Sequence, residues 1–200
     1  MINETFLPLE VERIRNILKK EILEYLPEIF ISEKTASTND DAKVYLPNQP
    51  SELSIHLAEQ QEAGKGRNGK EWVSPKGKNI YLSLGWKSPL QYSKLDGLSL
   101  AVGCVVANVL NSKANDQINI KWPNDLLINQ KKMSGILIET VDLEGQVGIV
   151  IGVGINVHMS REEGKDIDQS WVSLDEISEK TNDRNELIAN LLNELLVLTK

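Results

Sequence analysis

Residues 118–157, INIKWPNDLLINQKKMSGILIETVDLEGQVGIVIGVGINV, set the architecture of the chain. Short runs rich in Ile, Leu and Val at 118–122, 126–128, 133–141 and 147–157 read as four strands. Asn129-Gln130-Lys131 turns the second into the third, and Leu143-Glu144-Gly145 turns the third into the fourth. Connections this short join only antiparallel neighbours. Upstream, residues 79–86 alternate Ile80, Leu82, Leu84 and Trp86 against Tyr81, Ser83 and Gly85, a strand with one apolar face. Residues 53–58 and 29–32 supply further strands. Val11, Ile14, Leu18, Ile22 and Leu26 recur at helical spacing up to Pro27, so the periodicity predicts one amphipathic helix over 11–26. Longer helices are expected over 95–110 and 185–198, and a short one after the capping cluster at 35–42. The expected class is α+β: a mixed, largely antiparallel sheet flanked by helices.

A chain of 200 residues with 40% hydrophobic types suffices for one ordinary domain, and 1–200 is read as one. Twenty-two Lys and Arg against 29 Asp and Glu, a net charge of −7, exclude a generally basic protein that coats nucleic acid. Too little chain precedes the first strand for a winged helix-turn-helix. One cysteine, Cys104, leaves no disulfide framework, and inside its helical pattern it reads as a buried small hydrophobe. His56 and His158, far apart in sequence, give little material for a transition-metal centre. Acids at Glu4, Glu10 and Glu12, with no apolar run behind a basic flank, argue against a signal peptide, and the apolar runs are too short to cross a bilayer. The expected location is the cytoplasm, with no membrane and no nucleic acid as partner.

Between two strands lies Gly64-Lys65-Gly66-Arg67-Asn68-Gly69-Lys70. Glycines expose backbone N–H groups while Lys65, Arg67 and Lys70 add cations, which suits an anion but also a solvated hairpin. The spacing is neither a Walker loop nor a dinucleotide fingerprint. Lys121-Trp122-Pro123-Asn124-Asp125 places a cation, an aromatic, an amide and a carboxylate at one bend, where Asp125 could serve a divalent metal or simply bond turn amides. One of Lys131 and Lys132 is expected to face a ligand and the other solvent. Gly152 and Gly154 strip side chains from a strand, for packing or for something flat. The polar stretch 159–169 is a candidate cover. No Ser-His-Asp elbow is present, so catalysis would rest on charge and positioning.

Taken together, Ser37-Thr38-Asn39, the run AEQQEAGKGRNGKEWVSPKGKNIYLSLGW at 58–86, KWPNDLLINQKKMSGILIE at 121–139 and GVGINV at 152–157 resemble the catalytic domain of the biotin protein ligases. The order and spacing of these pieces make the likeness specific. The related lipoate and octanoate transferases are similar in fold but match the glycine-arginine loop and KWPND less well.

The resemblance implies a ligase that condenses biotin with ATP to biotinyl-adenylate. It then passes biotin to a lysine of the biotin carboxyl carrier domain of a biotin-dependent carboxylase. By that resemblance Ser37, Thr38, Gln61 and Gly64 surround the biotin ureido ring, with Asn39, Lys65 and Gly135 in the same set of binding residues. Arg67 and Lys132 meet the carboxylate and α-phosphate and carry the chemistry. Trp72 is the loop aromatic, Trp122, Asn124 and Asn156 serve the nucleotide side, and Trp171 packs on adenine. Asp125 answers to Mg2+ held with ATP. Lys65 stands where arginine is familiar in this family. The likeness implies the ligase-only type, without the N-terminal DNA-binding domain and the small C-terminal β domain, and allows a homodimer through the sheet. A lipoate ligase, or a binding module without catalysis, is the alternative.

Overall fold

Both tight hairpins of the central stretch are present in the computed structural model, which describes residues 6–48, 53–88, 95, 97–178 and 180–199. Seven strands, β1 (Glu28–Ser32), β2 (Leu53–Ala58), β3 (Ile80–Ser88), β4 (Asn119–Lys121), β5 (Asp125–Ile128), β6 (Lys131–Leu143) and β7 (Gln146–Ile155), form one sheet. Its order is β1-β2-β3-β7-β6-β5-β4. β1 and β2 run parallel, connected through the helix Thr38–Asn48; every other neighbouring pair is antiparallel. In chain order the helices are α1 (Val11–Arg15), α2 (Lys20–Leu23), α3 (Thr38–Asn48), α4 (Leu98–Asn111) and α5 (Arg184–Leu195). The fold is the α+β class expected.

The two-residue turn between β5 and β6 needs Asn129 and Gln130 both at positive φ, 48° and 62°. Asn129 also donates to Asp116 Oδ2 at 2.8 Å, which holds the bend. One residue is counted twice across this hairpin. Leu126 faces Ser134 while Leu127 faces Lys132, so Met133 is an extra residue, a β-bulge.

Alternation along the strands divides the sheet into two faces. Ile55, Leu57, Ile80, Leu82, Leu84, Ile149, Ile151, Val153 and Ile155 point into the large core with Leu187, Ile188, Leu191 and Leu192 of α5 and Val102, Val106 and Val109 of α4. The opposite face is covered in part by α3, where Ala42 and Leu46 pack on Val150. Cys104 is exposed, contrary to expectation. α4 buries Val102, Gly103, Val106, Ala107, Val109 and Leu110, so its outward side falls on the helical period of Leu100, Cys104 and Asn108.

The helix expected over 11–26 is two short ones. Lys19 is extended, and its N–H donates at 2.8 Å to Asn193 Oδ1 of α5 in place of a helical carbonyl. The apolar stripe still serves, since Ile14, Leu18 and Ile22 remain buried in the core. Arg184 and Asn185 at the start of α5 fasten the preceding segment through the carbonyls of Leu7 and Pro8, at 3.1 and 3.0 Å. Arg184 is buried with Glu59, Nη1 to Oε2 at 2.8 Å, and Glu59 Oε1 accepts the Leu9 N–H at 2.6 Å.

Candidate active site

On the sheet face opposite the large core lies a cavity of about 240 Å3 walled by α3, the glycine loop, β6, β7 and the bend at Pro123-Asn124-Asp125. Its floor is open because Gly135 and Gly154 pair across β6 and β7. The indole of Trp72 fills the space their side chains would take: a Cβ on Gly154 would stand 2.5 Å from Trp72 Cε2, and one on Gly135 3.1 Å from Cζ3. Gly152 makes the same allowance for Asn39, whose Oδ1 would lie 2.4 Å from a Cβ. These glycines therefore admit side chains to the sheet surface. Trp72 Nε1 is buried with no partner among the described residues, an N–H available to an acceptor.

Lys65, Arg67 and Lys70 of the loop and Lys132 of β6 line the cavity, and Arg67 and Lys132 meet its wall at Asn124 and Asp125. Lys132 Nζ pairs with Asp125 Oδ1 at 2.8 Å and lies 5.5 Å from the Trp72 ring centre. The bulge at Met133 accounts for its direction. In an unbroken β6 the even positions share the side of Ile136, which is buried in the large core; the extra residue turns Met133 into that core and Lys132 to the cavity. Lys131, its neighbour, is exposed, as expected for one lysine of the pair. The backbone of Lys132 is braced by its N–H to Ser170 O at 2.9 Å and by the Val172 N–H to its own carbonyl at 3.0 Å. Arg67 comes from the loop and reaches Asn124 Oδ1 at 3.4 Å, while Asn124 Nδ2 donates to Ile136 O at 3.0 Å. Asn68 and Gly69 beside Arg67 have φ of 56° and 72°, the left-handed backbone that lets so tight a loop turn.

The inner end of the cavity is polar and buried. Ser37, Thr38 and Asn39 open α3 there, and Gln61 Oε1 accepts the Thr38 N–H at 3.0 Å and its hydroxyl at 3.2 Å. Gln61 Nε2 donates to Ser74 Oγ at 3.0 Å, so both ends of this amide tie the loop to the helix. Ser83 Oγ sits 2.8 Å from Thr38 Oγ1 and 2.5 Å from Asn39 Oδ1, and Asn39 Nδ2 donates to Glu139 Oε2 at 2.8 Å. Burial pushes the Tyr81 phenol far up, so it stays protonated and donates to Pro75 O at 2.8 Å. Ser83 and Glu139 were not singled out from sequence. The signal for Ser83 lay in the alternation of β3, which puts it on the face away from Leu82 and Leu84.

Asn156 and Trp171 lie beyond Lys132 in a narrow cleft shared with Trp72, Ile167 and Gln169. Trp171 is buried, donates from Nε1 to Gly164 O at 3.1 Å, and carries the Arg161 guanidinium 4.5 Å from its ring centre. Residues 159–169 thus fold back onto the aromatic, and Gln169 reaches the cavity wall. Gly64 is buried behind the inner end, where a Cβ would stand 2.5 Å from Trp72 O, 2.7 Å from Ser74 Oγ and 2.9 Å from Gln61 Nε2. One expected residue stands apart: Trp122 is 80% exposed and outside the cavity lining. The bend that aims Asn124 inward turns Trp122 outward.

Residues 31–156 match the model of the biotin/lipoate A/B protein ligase family. The chain belongs to that family. It is 41% identical over 160 residues to the bifunctional ligase/repressor BirA of Escherichia coli, covering 78% of this chain and 50% of that protein. The biotin--[acetyl-CoA-carboxylase] ligase of Mycobacterium tuberculosis is 34% identical over 178 residues, 84% of this chain and 62% of the relative. Among solved structures, a biotin protein ligase of Aquifex aeolicus in complex with biotin and ATP superposes with a TM-score of 0.72 at 29% identity, covering 85% of this chain and 69% of that one. The chain spans about half the length of the BirA proteins it matches. No described helix is long and apolar enough to cross a membrane.

Proposed function

We propose that this chain activates biotin with ATP as biotinyl-adenylate and transfers the biotinyl group to a lysine of a carrier domain in the cytoplasm. The observation that carries this reading is the convergence of Lys132 and Arg67 on one cavity whose inner end is buried and polar. In the first step a biotin carboxylate oxygen attacks the α-phosphorus of ATP, forming the acyl–phosphate bond while the bond to pyrophosphate breaks. Both reactants are anions. Lys132 and Arg67 offset their repulsion and hold the reacting atoms in line, and no protein nucleophile is needed.

In the second step a neutral carrier lysine attacks the acyl carbon and AMP departs as a weakly basic phosphate. The same two cations face the charge that develops on the carbonyl and phosphate oxygens. Asp125 holds Lys132 in place. As a single carboxylate it supplies one ligand at most to Mg2+, which suits an ion that arrives with the nucleotide and takes its other ligands from phosphate and water. Ser37, Thr38 and Asn39 offer the polar groups a ureido ring requires, which a dithiolane would leave unused. Closure of residues 61–72 and 159–169 over the product would keep water from the mixed anhydride.

The deciding assay supplies biotin or lipoate with ATP and magnesium, with and without a biotin carrier domain, and measures pyrophosphate release, adenylate and carrier labelling. Biotin-dependent pyrophosphate release is expected. Turnover of lipoate alone, or tight biotin binding with neither product, would overturn the reading. Lys132→Ala should lower adenylate formation by about a thousandfold, roughly 4 kcal/mol of barrier, with little change in unfolding temperature. Equal activity would remove Lys132 from the chemistry.

A further inference from the structure

The two cations of the glycine loop end in different places. Arg67 reaches across the cavity to Asn124 through one long contact of 3.4 Å. Lys65, two residues earlier, also lines the cavity, but its ammonium is taken by α3: it lies 2.7 and 2.6 Å from the two carboxylate oxygens of Asp40 in the first turn of that helix. The loop is thus fastened firmly on one side of the cavity and lightly on the other.

Asp40 is not a lone surface carboxylate. Lys43 Nζ, one helical turn on, lies 2.9 Å from Asp40 Oδ1 and 2.7 Å from Glu139 Oε1, and Glu139 Oε2 holds Asn39 at the cavity floor. The chain Lys65–Asp40–Lys43–Glu139–Asn39 therefore links the loop to α3 and to β6. An isolated exposed ion pair contributes little, but one embedded in such a network has its geometry already fixed. Burial pushes the Asp40 carboxyl up, yet hydrogen bonds and charge from Lys65 and Lys43 outweigh it and hold the group below the usual carboxylate range. Asp40 is accordingly ionised at neutral pH.

We infer that Asp40 is a positioning residue that tethers the glycine loop through Lys65 and so sets how long the activated acyl-adenylate stays enclosed. In this assignment Lys65 is a tether, not a ligand contact. The inference deepens the biotin-activating reading and rests on it for the identity of the enclosed intermediate.

Two measurements on the full chain test it. In the ligand-free protein, trypsin cleavage after Arg67, followed by mass spectrometry, should accelerate about fivefold in Asp40→Asn and in Lys65→Met, as expected for losing about 1 kcal/mol of tethering. Release of preformed biotinyl-adenylate should quicken by a similar factor in both variants, while Lys65→Arg stays within about twofold of the parent in both readouts. The double variant should be no worse than either single change. A lysine that instead contacts the ligand is freed when Asp40 is neutralised, so unchanged cleavage and unchanged or slower release in Asp40→Asn would overturn the tether. So would additive effects in the double variant. If no variant makes an adenylate, the biotin-activating reading fails while the cleavage rates still judge the tether.

Discussion

The two faces of the sheet are built from adjacent residues and do opposite work. Along β7, Val147, Ile149, Ile151, Val153 and Ile155 fill the large core, while of the alternate positions Gly148, Gly152 and Gly154 carry no side chain and Val150 packs under α3. β3 repeats the contrast, with Leu82 and Leu84 against Ser83 and Gly85. On one side the strands supply apolar bulk and α5 closes over it. On the other they supply room, which Trp72, Asn39 and Leu46 enter from the loop and α3. A flat, thinly clothed surface is costly to leave uncovered in a sheet, and here the large side chains of the opposite face hold the strands in register while this one is kept bare.

Changes on the core side should therefore register in stability and changes on the cavity side in chemistry. The largest effect is expected for Arg184→Met, which leaves Glu59 buried without its cation and should cost about 3–5 kcal/mol in denaturant unfolding. Its activity per folded molecule should stay near the parent value; a loss below about 1 kcal/mol would show that Glu59 finds another partner.

His56 probes the dry part of the α3 side, where it stacks near Phe30 and Tyr45 and contacts Ser54 Oγ at 3.1 Å. Burial lowers its pKa to about 4. The folded state then binds fewer protons than the unfolded one, so the stability it contributes is full above the ordinary histidine pKa and is lost as pH falls from about 6.5 toward 4. The loss should reach roughly 3 kcal/mol at the acid end, His56→Gln should flatten that slope, and the catalytic effect at neutral pH should be mild. His56 titrating near 6.5 by NMR would contradict it.

Gly154→Ala tests the bare surface itself. The added methyl would sit 2.5 Å from the Trp72 indole, so the expected cost is about 1–2 kcal/mol of stability and a larger, about tenfold, drop in adenylate formation. Combined with Trp72→Ala the stability cost should shrink, because the collision is removed. An undiminished cost would mean that the strand, and not the indole, resists the methyl.

The hairpins and both faces of β3 and β7 were legible in sequence because alternation and turn residues are local signals. The single N-terminal helix was not, since its break is imposed by Asn193 on a distant helix, and nothing in the local periodicity reports that bond. Cys104 was misjudged because a helix with so many apolar residues has no sharp polar stripe to mark its outside. Of the site, Ser37, Arg67, Asn124 and Lys132 stood out through motifs. Asp40, Lys43 and Glu139 did not: each is an ordinary surface charge until the fold sets them side by side. Trp122, in the most conspicuous motif of all, turns to solvent.

The doubled count at Met133 makes the aim of Lys132 a matter of arithmetic rather than of chemistry. Any lysine at that position emerges toward the cavity only while Met133 stands outside the ladder; drawing Met133 into regular pairing would swing the ammonium through the sheet to the side of Ile136, with every substitution-based measure of similarity still counting the lysine as retained.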